Sequence, residues 1–175
     1  MRPREQLYSA VSMIPGLIMA VVLGGKQKFA VVKPAVYAYI ITCVASMTYH
    51  LRCYSHGFDP RFLRLDLLGQ NLGMVTCILS SPLGVSGAMC LAPFSVVSLG
   101  LTNLSLADEA FIAEICTVIG VIIACCFKPA LFTTWAVAFM FFMIKKFHKN
   151  PYTHSLFHLT LHGAMYRYYH ALAIV

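Results

Sequence analysis

The chain has 175 residues, of which 59% are hydrophobic and 11% charged, with a mean hydropathy of +0.76. Soluble domains carry roughly a quarter charged residues, so a water-soluble globule is excluded. The net charge of +7, from 13 Lys and Arg against 6 Asp and Glu, is dispersed between apolar runs; that distribution argues against a nucleic-acid surface and for lipid headgroup contacts.

Apolar runs separated by charged residues, Pro, Gly or Asn lie near 8–24, 33–52, 62–81, 83–101, 106–127, 129–147 and 151–173. Each approaches the roughly 20 residues that cross a bilayer as a helix, and backbone groups in lipid must be satisfied within the segment. The spacing predicts an all-α integral membrane bundle of seven transmembrane helices, joined by short loops as a single domain over residues 1–175. The first run follows Met1-Arg2-Pro3-Arg4 and exceeds a signal-peptide core, so it is read as a retained span.

The second run ends in Ser46-Met47-Thr48-Tyr49-His50. A serine four residues before a histidine shares its helical face; alternatively, Ser46 bonds its own backbone, as serines in membrane helices do. The third run opens with Asp66 between Leu65 and Leu67 and continues as Gly69-Gln70-Asn71-Leu72-Gly73. The two glycines predict close approach by a neighbouring helix. A carboxylate at that depth needs a partner or a chemical task, since it costs about 2.5–3.5 kcal/mol on insertion scales. Its plainer alternative is an ion pair with Arg61 or Arg64. Glu114, in the fifth run, fits cavity lining and interhelical bonding equally well.

The last run opens with Thr153-His154-Ser155-Leu156-Phe157-His158. Imidazoles four residues apart on a helix can grip one metal ion. Parity brings His50 to them: four crossings separate the end of the second span from the start of the seventh, so His50, Asp66, His154 and His158 share one membrane depth. Three imidazoles with a vacant position describe a hydrolytic zinc site. In such a site Asp66 serves as the acid and base, Ser46 steadies an oxyanion, and the substrate is a membrane lipid amide or ester. His162 continues the stripe as an outer or cavity-lining residue or as inert core, while His56, His148 and His170 read as interfacial. The seven cysteines lack metal-ligand spacing and read as small packing residues. No Gly-x-Ser-x-Gly elbow is present, which disfavours a serine lipase.

Ser46-x-x-x-His50, Leu65-Asp66-x-x-Gly69 and His154-x-Leu156-Phe157-His158 resemble, in order and in span, the CREST superfamily of seven-span membrane hydrolases. That group includes alkaline ceramidases, adiponectin and progestin receptors, haemolysin III proteins, Per-like lipid-remodelling proteins and a myomaker-like branch. The resemblance implies zinc held by His50, His154 and His158, with Ser46 and Asp66 as the accompanying polar pair. It also implies a multi-pass protein of the endoplasmic reticulum, Golgi or plasma membrane, with a ceramide-like amide as the leading substrate. Two other classes compete: a receptor or remodelling protein that keeps the zinc for structure, and a haem carrier with His50 and a seventh-span histidine as axial ligands.

Orientation is balanced. Arg2, Arg4, Arg52, Arg61, Arg64, Lys145, Lys146 and Lys149 fall on the side of the N-terminus and the histidines, against Lys26, Lys28, Lys33, Lys128 and Arg167 on the other. The positive-inside rule leans to a cytosolic N-terminus, whereas the acceptor sequence Asn103-Leu104-Ser105, on the same side, leans to the lumen.

Overall fold

The computed structural model of the chain describes residues 3–100, 104–147, 150 and 152–174. Arg2, Asn103, His148 and Lys149, and the side chains of Lys145 and Lys146, lie outside the described residues.

The described residues are helical, with no strand: α1 (Pro3–Ser12), α2 (Ile14–Gly24), a 3₁₀ segment (Gln27–Val32), α3 (Lys33–His56), α4 (Pro60–Leu79), α5 (Gly84–Met89), α6 (Ala92–Ser98), α7 (Leu106–Phe127), a 3₁₀ turn (Pro129–Leu131), α8 (Phe132–Phe147) and α9 (Thr153–Leu172). Three stretches are long and apolar enough to cross a membrane: Pro3–Gly24, Gln27–His56 and Pro60–Leu79. The run expected as one fourth span is two short helices that meet at Cys90 and Leu91. Pro93, in the first turn of α6, has no N–H to donate to Met89 and so cannot extend α5.

The first stretch is broken at Met13, two residues before Pro15, which has no N–H to offer Val11 O. A proline in a helix removes a donor and presses on the carbonyl four residues back. Here the Met13 N–H turns to Ala10 O, three residues back, at 3.1 Å. The Ser9 carbonyl is thereby left to side chains, which matters for the site.

Helix α3 is the hub, lying against α1, α2 and α4, while α9 lies against α8, α1 and α2. Lipid tails are as apolar as leucine, so helices in a membrane associate through close packing and interhelical hydrogen bonds. Gly69 and Gly73 of α4 supply both. A Cβ on Gly69 would sit 3.0 Å from Ala45 Cβ, and one on Gly73 would sit 2.7 Å from Thr42 Oγ1. The Thr42 hydroxyl reaches across to Gly69 O at 2.6 Å. Tyr39, Phe29, Trp135, Tyr168 and Tyr169 fill one core, and Leu67, Leu91, Phe94 and Ala113 fill another around α4, α6 and α7.

The loop from α3 to α4 turns at Gly57, whose φ of 84° suits glycine, and ends on Asp59. Asp59 caps α4 by accepting the Arg61 N–H at 3.0 Å and receives the Arg61 guanidinium at 3.1 Å. These bonds, the side-chain one foremost, hold the Asp59 carboxyl below its usual range. Arg64 binds Glu109 of α7 at 3.1 Å, with Glu109 fully buried. The two arginines considered as partners for Asp66 thus reach other carboxylates. All seven cysteines are free thiols; Cys43, Cys53, Cys77 and Cys116 are buried.

Candidate metal centre

Three imidazoles converge where α3 and α9 meet. His50 is six residues from the end of α3, and His154 and His158 occupy the first turns of α9 on one face. One ring nitrogen from each lies within 4.8 Å of the others, so the group could hold a metal ion. His50 Nε2 and His154 Nε2 are 3.3 Å apart, and the His154 and His158 ring centres are 4.4 Å apart. His50 and His158 are buried, while His154 is half-buried at the edge.

The outward nitrogens are held by α1. His50 Nδ1 meets Gln6 Oε1 at 2.5 Å, and His158 Nδ1 lies 2.8 Å from Ser12 Oγ and 3.2 Å from Ser9 O. Ser9 O is the carbonyl four residues before Met13, whose N–H turns to Ala10 O instead. One turn deeper, His162 Nε2 donates to Ser12 O at 2.8 Å, and His162 Nδ1 accepts from Tyr39 OH at 2.6 Å. Both nitrogens of His162 are therefore engaged, and the residue is a strut rather than a ligand. It fits only because position 16 is glycine: a Cβ there would come 2.3 Å from His162 Nδ1.

Ser46 is buried on α3, one turn deeper than His50 on the same face. Asp66 is buried on α4 at i, i+3 and i+7 with Gly69 and Gly73, the stripe that packs on α3. The helices run antiparallel, so with Gly69 against Ala45 the register carries Asp66 toward Tyr49. Glu114 is half-buried on α7; His56 is exposed and bonded to Ser55 Oγ at 2.6 Å.

Gln6, Ser9 and Ser12 went unread in the sequence. Starting the first span at Tyr8 left Gln6 outside it, although polar residues at every third position, all buried, form one stripe along α1.

No known family model matches the chain, and no curated protein or solved structure matches it either.

Proposed function

We propose that the protein is a multi-pass, seven-span membrane hydrolase that holds zinc on His50, His154 and His158 and cleaves a lipid amide or ester, with a ceramide-like amide as the leading substrate. The observation that carries this reading is the 3.3 Å between His50 Nε2 and His154 Nε2. Two nitrogens bound at about 2.0–2.1 Å to one tetrahedral zinc stand about 3.3–3.4 Å apart. The same closeness leaves no slot between the two rings for a macrocycle, which disfavours the haem alternative.

When bound, zinc lowers the pKa of a coordinated water to about 7 and polarises a carbonyl. The chain's own residues supply the rest. Asp66 accepts the proton of the attacking water and returns it to the departing amine or alcohol. The Ser46 hydroxyl donates to the oxygen that gains negative charge. The imidazoles sit on and beside helices apolar enough to cross a membrane, which supports a lipid over a soluble substrate. The endoplasmic reticulum, Golgi and plasma membrane are the compartments that fit such a substrate.

Metal analysis of the purified protein, paired with turnover of labelled ceramide by wild type and Asp66→Asn, tests the proposal. Stoichiometric zinc in both proteins and turnover only in the wild type is expected. Zinc retained with no cleavage of any lipid amide or ester would instead select the receptor or remodelling reading.

A further inference from the structure

The protons on the outward ring nitrogens decide whether the three imidazoles can serve one cation at all. A neutral imidazole carries its proton on Nδ1 or Nε2, and only the bare nitrogen can bind a metal. At His158 the choice follows from Ser9 O, which can only accept. The Ser12 hydroxyl already gives its proton to Ser9 O at 2.8 Å, so its lone pairs face His158 Nδ1 at 2.8 Å. A lone pair on Nδ1 would confront both that hydroxyl oxygen and the Ser9 carbonyl at 3.2 Å; a proton there satisfies both. At His50 the amide oxygen of Gln6 likewise demands a proton on Nδ1. In both rings Nε2 then carries no proton, and at His50 it faces His154 Nε2 at 3.3 Å.

We infer that α1 is the outer sphere of the metal centre: Gln6 and Ser12, with the Ser9 carbonyl left at the α1–α2 break, are positioning residues that lock His50 and His158 as Nδ1–H tautomers, so that the unprotonated Nε2 of each ring can turn to one ion. The inference rests on the metal-site reading above and deepens it. Outer partners of ligating histidines orient the ring and raise its basicity, and their loss costs typically 10–100-fold in metal affinity. Gln6 Oε1 lies 2.5 Å from His50 Nδ1, whereas His158 Nδ1 has two acceptors in reach and keeps Ser9 O when the Ser12 hydroxyl is removed. The two positions are therefore unequal. Gln6→Leu weakens zinc binding by about 10–100-fold, and Ser12→Ala falls at or below the low end of that range.

The test uses full-length protein in detergent micelles or nanodiscs with ¹⁵N-labelled histidine, where two-bond ¹⁵N–¹H correlations report each tautomer. It is run without metal and then with zinc chloride alone. In metal-free wild type, His50 and His158 are expected as Nδ1–H. Gln6→Leu releases His50 from that tautomer and leaves His158 in it, and Gln6→Glu restores both the tautomer and the affinity. A purely structural role for Gln6 would move neither the tautomer of one ring nor its rescue. Nε2–H at His50 in the wild type, or unchanged tautomers and zinc affinity in Gln6→Leu, would overturn the inference; the wild-type spectrum decides even if the leucine variant does not fold. The expected tautomers in a protein that takes up no zinc would remove the metal reading while the locking of the rings by α1 stands.

Discussion

His50 and His154 are 104 residues apart in sequence, yet their Nε2 atoms are 3.3 Å apart at the junction of α3 and α9. A separation that short between two nitrogens is a hydrogen bond or the edge of a coordination sphere. The third ring, His158, closes the group to within 4.8 Å. The first prediction is that alanine at His50, His154 or His158 each lowers zinc affinity by more than about 100-fold, beyond the range typical of outer partners. Competition with a chelator of known affinity measures it. A loss at one position only would reduce the site to something other than a three-imidazole centre.

Asp66→Asn keeps the side chain's shape and removes its basicity. If Asp66 moves the protons, turnover falls by roughly 10²–10⁴-fold while zinc content is unchanged. Single-turnover kinetics on labelled lipid separates this from a binding defect, and a variant as active as the wild type would strike Asp66 from the chemistry.

Two glycines give a contrast in packing. A Cβ at Gly73 meets Thr42 Oγ1 at 2.7 Å, and that hydroxyl is fastened to Gly69 O. A Cβ at Gly120 comes closer still, 2.1 Å, but meets the end of the flexible Met74 side chain. Gly73→Ala is expected to cost about 1–3 kcal/mol and Gly120→Ala markedly less. Thermal unfolding in one detergent ranks them; the reverse order would contradict the packing of α4 on α3.

Asp59 sets a pH dependence. Its carboxyl is held low by Arg61, so the charge adds stability that is fully present above the unfolded-state pKa, about 3.9, and is lost as pH falls through the lower folded value. Asn also caps helices well, so Asp59→Asn isolates the charge. Its deficit in Tm against the wild type should persist at neutral pH and close in acid. A deficit that widened on acidification would reverse the assigned shift.

How much of this was legible in the sequence differs from residue to residue. The pairing of His154 with His158 was readable because i, i+4 spacing on a helix is geometric, whereas the parity that brought His50 to them counted 83–101 as one full crossing, where two short helices stand. Gly69 and Gly73 were readable, as small residues one turn apart have few other uses in a span. The break at Met13 was not, since a proline inside an apolar run is tolerated when other groups satisfy the backbone, and the Ser9 carbonyl left there is taken up by Ser12 within α1 and by His158 on distant α9. Gln6 was hidden by a span boundary placed too late. The run over 83–101 read as one span because its composition is uniformly apolar, although Pro93 divides it. The ion pairs of Arg61 with Asp59 and Arg64 with Glu109 depended on which carboxylate lay in reach; Glu109 is 45 residues from Arg64.

The measurement that bears most directly on the central claim is X-ray absorption at the zinc edge of the purified, zinc-loaded protein, with metal content determined on the same sample. The account predicts one zinc per chain, about three imidazole nitrogens at 2.0–2.1 Å, and no sulfur shell at the roughly 2.3 Å of a thiolate. A sulfur shell, or protein that binds no stoichiometric zinc, would contradict it.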